Sequence, residues 1–491
     1  MSVSFNTIPN TIRCPLFYAE MDNSKAGTQS AKYRTLLIGQ IVNGSSAIAN
    51  KPIYVPSFAY AKNKFGAGAQ LTQMVEHYLK NNSSVELYCL PIADPASSTA
   101  ATGTITITGP ATASGVLSLY VYNTVVQVGV ANEDTAATIA TATAAAINAN
   151  VDLPITATAD EGVVTVTAKH GGVCGNDISL GLNLGGEINN EITPDGLSVI
   201  ITQPTGGAGN VSLTTALANL GEEVYDFIVT AATDATSLTE LKEYMSDETG
   251  AWSYAKQLYG HVWAATRSTV AVAQTLGTSL NDQHLSVLPI YGSNTPIWCV
   301  AAALAGAAAG SIAADPARPL QTLQLLGVAA PDVTDRFTLT ERETLLANGM
   351  STYTVNSGVV QIERIITTYQ KNGYGQPDNS YLSIETLYTS AYILRYLKGI
   401  VTSKYGRHKL ASDGTRFGEG QAIVTPKIIK AELISAYQAL EEQGLVENEE
   451  AFKDGLIVER NANDRNRVDV LFDPDYVNQL NVFALLNQFR L

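Results

Sequence analysis

Charge is scarce in this chain, and so are the residues on which most metal and thiol chemistry depends. Charged side chains make up 15% of its 491 residues, against a typical ~25%. There are five His and four Cys. Cys14, Cys89, Cys174 and Cys299 form no CxxC pair, which reads as free thiols of a reducing cytoplasm. The five His make no HxxxH or HExxH spacing, so no zinc site is expected. No GxxxxGK[ST] phosphate loop occurs, and Gly66-Ala-Gly68 lacks the third glycine of a dinucleotide fingerprint. No cofactor is therefore expected. Thirty basic residues against forty-five acidic ones leave −15, which argues against direct nucleic-acid binding, because that affinity rests on neutralised phosphates. The opening Met-Ser-Val-Ser-Phe-Asn has no basic stretch ahead of an apolar run, so no export signal is expected. The longest apolar run, Trp298–Ala314, is rich in Ala and Gly and stops at Asp315-Pro316. That is short of the ~20 apolar residues of a membrane span, and a tightly packed core helix is expected with no membrane insertion.

What is present is patterned. Residues 1–30 carry isolated apolar side chains (Phe5, Ile8, Ile12, Phe17) in an irregular, polar segment, which reads equally as a frayed terminus or as an N-terminal arm that orders on a partner. Tyr33–Gln40 and Val85–Ile92 read as buried strands, with an amphipathic helix between them on Leu71, Met74, Val75, Tyr78 and Leu79. This βαβ start predicts a parallel sheet. Residues 96–205 then turn rich in Thr, Val, Ala and Gly, with alternating runs at Thr104–Thr108, Leu117–Val121 and Val163–Ala168 and one helix near Ala136–Ile147. They hold nine acidic residues and one basic residue, Lys169, for a net of −8. The α/β pattern resumes after Gly206-Gly207, with strands at Tyr225–Ala231, His261–Ala265 and Leu285–Tyr291. Ser237-Leu-Thr-Glu240 and Thr340-Glu-Arg-Glu343 match helix capping boxes.

A third region is expected from Thr338. Asn356-Ser357-Gly358 separates two strand-like runs, Tyr353–Val355 and Val359–Thr367, as a hairpin. Long helices are expected over Ser383–Lys404 and from Pro426 to a stop at Gly444. In Leu480–Leu491, Phe483, Leu485 and Phe489 share one face while Leu480, Val482 and Leu486 share the other. A terminal strand apolar on both faces must be buried on both, so the last thirteen residues want a sheet, and not necessarily their own. The expected architecture is an α/β core domain (31–94 and 206–337) carrying an inserted acidic β-rich domain (95–205). An α+β C-terminal domain (338–478) and a C-terminal arm strand (479–491) complete it.

Two clusters invite a chemical reading. Gly277-Thr278-Ser279 resembles the serine context of subtilisin-type proteases, but no Asp or His in a triad context accompanies it. Ser279 is expected at a helix-to-loop boundary, and no catalytic residue is assigned. Arg395, Lys398, Lys404, Arg407 and Lys409, with His408, form the densest basic group, interleaved with Tyr388, Tyr392, Tyr396 and Tyr405. It reads either as cations placed against a helix C-terminus or as a patch docking on an acidic protein surface.

The opening Ser4-Phe5-Asn6-Thr7-Ile8-Pro9, followed by Ile12-Arg13-Cys14-Pro15 and Glu20-Met-Asp-Asn-Ser24, resembles the N-terminus of Mu-type contractile phage tail sheath proteins. The strand Tyr33–Gln40, Phe65-Gly-Ala-Gly68, and Asp473-Pro-Asp-Tyr-Val-Asn-Gln-Leu480 with Val482–Leu491 are similar to that family too. Leu16 departs from it, where Gly is expected after the Pro. The resemblance covers nearly the whole chain apart from the β insertion. It implies a non-enzymatic virion protein, assembled in the host bacterial cytoplasm, whose hexameric rings stack around a tail tube. Its implied partners are other copies of itself, the tube protein, and baseplate and tail-terminator proteins. Arms around Phe5, Ile8, Ile12 and Phe17, and around Leu480, Val482, Phe483, Leu485 and Phe489, would add strands to a neighbour's sheet. The Arg395–Lys409 group becomes a candidate tube contact. The sheath of a tail-derived bacteriocin or another contractile injection system fits the same residues. A hydrolase predicts a convergent polar constellation, and a surface-layer protein or adhesin an export signal; neither is seen in the sequence.

Overall fold

The computed structural model describes residues 32–418 and 420–490. The N-terminal anchors Phe5, Ile8, Ile12 and Phe17 lie outside the described residues, as does Leu491.

Five parallel strands and one antiparallel edge build the principal sheet. Its order is Leu285–Ile290, His261–Arg267, Phe227–Thr230, Arg34–Gln40, Glu86–Ile92 and the short Ile53–Tyr54. Arg34–Gln40 is internal, with Leu36 paired to Ile228 on one side and Tyr88 on the other. Parallel strands covered on both faces read as near-continuous apolar runs. All six residues of Leu285–Ile290 are accordingly buried. Helix Gln70–Asn81 makes the first crossover, and Ala235–Met245 and Val270–Ser279 make the later ones. The Ala-rich run forms helix Ile297–Ala314, mostly buried, lying against Gln70–Asn81 and His261–Arg267. Its small residues have a steric reason. A Cβ on Gly306 would stand 2.9 Å from the Tyr78 carbonyl oxygen and 3.0 Å from Asn81 Cβ.

Between Ile92 and Phe227 the chain makes two antiparallel sheets. One orders Ser198–Thr205, Ala100–Thr108, Val163–Gly171 and Ile155–Asp160; the other orders Thr124–Val130, Gly115–Val121 and Leu180–Leu182. The alternation fixes their faces: Ile105 and Ile107 are buried while Thr104 and Thr106 stay partly exposed. Helix Ala136–Ala149 is capped by the Thr135 hydroxyl, which accepts from Thr138 N–H.

A further antiparallel sheet orders Gln324–Ala329, Val359–Arg364 and Thr352–Asn356. Ser357 (φ 51°) and Gly358 (φ 80°) form its hairpin turn, in the doubly positive-φ geometry that matches strand twist. Helices Ile384–Tyr405 and Pro426–Glu442 follow.

Two expectations about helix capping need correction. Asp234, not Ser237, caps helix Ala235–Met245. Glu240 instead reaches the start of the short helix Thr214–Ala218, accepting from Leu213 N–H and Thr214 Oγ1. The other capping box is real but two residues earlier: Thr338 and Glu341 satisfy each other's backbone N–H. Packing also does not divide at Thr338. Met350, Tyr353, Val360, Ile362, Ile384 and Tyr388 belong to the principal core, stitched there by Ser351 N–H to Val287 O and Thr368 N–H to Leu285 O. A second core begins at Ile393 and runs through Leu433, Tyr437 and Phe452 to Leu456. The change falls inside helix Ile384–Tyr405, which is shared by both.

Because backbone lines the contact at Gly306, Gly306→Leu is expected to cost about 1–3 kcal/mol by overpacking. Thermal unfolding would read this as a lower Tm with native secondary structure retained.

Candidate assembly surfaces

The shared helix is held to the principal sheet by a buried polar knot. Tyr388 stacks on Phe227 at 5.1 Å between centroids. Its hydroxyl accepts from Trp263 Nε1 at 3.1 Å and donates to the Asp226 carbonyl at 2.9 Å. Two turns on, Arg395 donates to the buried Asp226 carboxylate and to the Tyr259 carbonyl. Arg34 N–H donates to the other Asp226 oxygen at 2.8 Å. Burial pushes the Asp226 pKa above its ordinary value, against the downward pull of Arg395 and the Arg34 amide.

This corrects the reading of Arg395, which is spent on an internal carboxylate and leaves the proposed basic patch. Lys404 is paired with Glu432 at 2.6 Å, a carboxylate that also accepts from Tyr405 Oη. Lys398, Arg407 and Lys409 remain exposed. Tyr392 and Tyr396 stack on each other and pack on the second core.

Around the second core the sheets are only two strands wide: Lys409–Leu410 with Ile423–Val424, Val446–Glu447 with Asp475–Tyr476, and Ile457–Arg460 with Val468–Leu471. Two-stranded pairs are marginal alone, and the last displays Ile457, Val470 and Leu471 to solvent. Beyond Val477 the chain has no regular structure as far as residue 490. Its root is tethered where Gln321 Nε2 donates to Leu480 O at 2.9 Å. After that Leu480, Val482, Phe483, Leu485, Leu486 and Phe489 are all exposed, Phe483 at 78% and Leu486 at 81%.

The Thr-rich sheets are joined to the principal one by two further knots. His170 Nε2 accepts from Gln70 N–H at 3.0 Å, capping helix Gln70–Asn81, which leaves the Nδ1 proton to face Asp94 at 3.0 Å. Asp94 also accepts from Gln40 Nε2 and Gly171 N–H, each at 2.8 Å. Burial pushes the Asp94 carboxyl up, but these hydrogen bonds, that from His170 foremost, hold it below its ordinary value. In the second knot Arg267 donates to Asp177, whose other oxygen accepts from Ile297 N–H at 2.8 Å, at the start of the Ala-rich helix. Of these polar partners only Arg395 and Tyr388 stand out in the sequence, and for another role. The one signal was a lone Asp inside the apolar run Tyr225–Ala231.

Among the described residues no three His, Cys, Asp or Glu are grouped to hold a metal ion. Ser279 ends helix Val270–Ser279 and donates to the Leu276 carbonyl, at the boundary expected of it.

The model for the phage tail sheath protein central domain matches residues 206–368, and that for the phage tail sheath C-terminal domain matches 376–490. The chain is 40% identical over 494 residues to the Mu-like prophage FluMu tail sheath protein of Haemophilus influenzae, with all of both chains covered. Among solved structures it is similar to a sheath tail protein of Desulfitobacterium hafniense (13% identity, TM-score 0.49, 95% of this chain and 97% of that one). Another is from Listeria innocua (12%, TM-score 0.47, 91% and 93%).

Arg395→Ala, which strands the buried Asp226 carboxylate, is expected to cost about 3–5 kcal/mol. The apolar-neutral double variant Arg395→Met/Asp226→Asn is expected to recover most of that in thermal unfolding. Since Asp94 titrates lower when folded than unfolded, its contribution is complete above pH ~4 and lost as pH falls through the folded value. Asp94→Asn should remove that contribution at neutral pH and flatten the acid limb of the stability profile.

Proposed function

The chain belongs to the phage tail sheath family, and from that premise we propose how this structural subunit of a contractile sheath assembles and works. Subunits form hexameric rings stacked around a tail tube, and neighbours are knitted by strands donated from their terminal arms. The observation that carries this reading is the segment 479–490: apolar on both faces, bare of any sheet, and rooted beside a body whose own sheets are two strands wide. Strand donation satisfies both needs at once. Backbone hydrogen bonds extend the receiving sheet, and alternate side chains set register. Each bond contributes only ~1 kcal/mol net, but repetition across a lattice makes the connection collectively firm.

The Thr-rich region 95–205, with its net of −8, is the outward domain of the subunit, inserted into the α/β core. Lys398, Arg407 and Lys409, with Lys404 held by Glu432, form the face turned to the tube; Arg395 has no part in it. The arm centred on Phe5, Ile8, Ile12 and Phe17 is the second link. Arms that stay engaged while the bodies move keep the mesh joined, so an extended, metastable lattice can relax to a contracted one when the baseplate releases it. That relaxation drives the tube through the host envelope. Assembly takes place in the host cytoplasm with tube, baseplate and terminator proteins, and the product is part of the virion.

Deleting residues 479–491 is expected to abolish tube formation in electron micrographs while leaving the Tm of the monomer unchanged. A truncated chain that still forms striated tubes refutes the arm mechanism.

A further inference from the structure

The principal sheet carries a cavity that the arm mechanism does not use. It has a volume of about 490 Å³ and lies over the carboxyl ends of Arg34–Gln40, Phe227–Thr230 and His261–Arg267. The strand order reverses here: from Arg34–Gln40 the chain steps first to Glu86–Ile92 on one side and later to Phe227–Thr230 on the other. Ligands of open α/β sheets occupy such crevices.

The cavity is unsuited to an anion. Three helices begin at its wall, and each amino end is already met by the protein's own acceptor. Asp234 takes Ser237 N–H, Asp177 takes Ile297 N–H, and His170 takes Gln70 N–H. The positions where a phosphate would bind helix N–H groups are therefore filled. Arg267 is committed to Asp177. The remaining lining mixes apolar Ile38, Leu213 and Trp298 with polar Asn210, Thr230 and Thr233. A flat, neutral group with an apolar ring and one hydroxyl fits this chemistry.

The same chain displays such a group at the opposite pole of the sheet. Tyr374 is 92% exposed at the tip of a loop anchored to the amino end of strand Leu285–Ile290. Thr368 N–H bonds Leu285 O, and Asn281 accepts from Gln370 and Lys371 N–H. The tip itself is braced: Asn372 Oδ1 accepts from Tyr374 and Gln376 N–H, and Gly375 N–H bonds Asn372 O. A rigid loop that holds a bare aromatic side chain in solvent has the form of an interface anchor.

We propose that the Tyr374 tip of one copy seats in the strand-end cavity of a second copy. Knob and receptacle at opposite ends of one body make a head-to-tail contact, which links each copy to two others, in a ring or an open helix according to the rotation between copies. Charge is compatible: with Arg267 and Asp177 paired, Asp234 is the remaining charge on the cavity wall, and exposed Lys371 flanks the tip, with Asp378 at its base bonded to Tyr369 Oη. The proposal rests on the chain self-assembling, but it uses neither arm.

The test is photo-crosslinking in the full-length chain with p-benzoylphenylalanine replacing Tyr374. Assembled material is expected to yield intermolecular adducts at 173–177, 209–213 or 230–234, and dilute monomer none. Tyr374→Ala, and the cavity-filling Ala232→Trp, are each expected to raise the concentration needed for assembly about tenfold or more, with monomer Tm unchanged. Assembled tubes whose adducts all lie outside the cavity overturn the contact while leaving the sheath reading standing. So does a Tyr374→Ala variant that assembles like the unmodified chain. An unmodified chain that never assembles, even on a tube template, overturns both.

Discussion

A backbone amide or carbonyl removed from water must find a partner, and apolar side chains on both faces of a strand require removal from water. In the segment 479–490 these two demands meet with no sheet in the described chain to answer them. The rest of the molecule can be read as the support for that open valence. The Tyr388–Trp263 and Arg395–Asp226 contacts pin the shared helix to the principal sheet. The second core then sits at a defined place on the first, so the segment 479–490 leaves it at a fixed position.

The two polar knots on the other side act in the same sense. His170–Asp94 and Arg267–Asp177 each use one residue from the Thr-rich region and cap a helix of the principal body. Partly buried polar contacts of this kind add little net stability, but each ties the start of a helix to a partner on the other sheet. A subunit whose function is mechanical needs connected parts: force applied to it must move a body, not deform it. Scarcity of charge follows from the same circumstance. Surfaces covered by neighbours have no use for solvating charge, and in the chain as a whole over half of the −15 lies between residues 96 and 205.

What was legible in the sequence was what depends on local order. The continuous apolar runs at 34–40, 227–230 and 285–290 became parallel strands, the Ala-rich run became a core helix, and Ser357-Gly358 turned its hairpin. Capping was less legible because Thr338-Leu-Thr-Glu341 and Thr340-Glu-Arg-Glu343 satisfy one pattern two residues apart, and only backbone geometry chooses between them. The Arg395–Asp226 pair spans 169 positions. Nothing near Arg395 separates it from Lys398 or Arg407, so a basic cluster in sequence became one structural cation and several exposed ones. The packing across Thr338 was not legible for a related reason: an apolar helix face does not state which of two cores it joins, and Ile384–Tyr405 joins both.

Amide hydrogen exchange of residues 480–490, compared between dilute monomer and assembled tubes, tests the central claim most directly. Exchange in the monomer should be that of an open chain. In tubes it should slow by orders of magnitude in an alternating pattern, as each second amide enters a neighbour's sheet. Fast exchange throughout this segment in fully formed tubes would contradict the account.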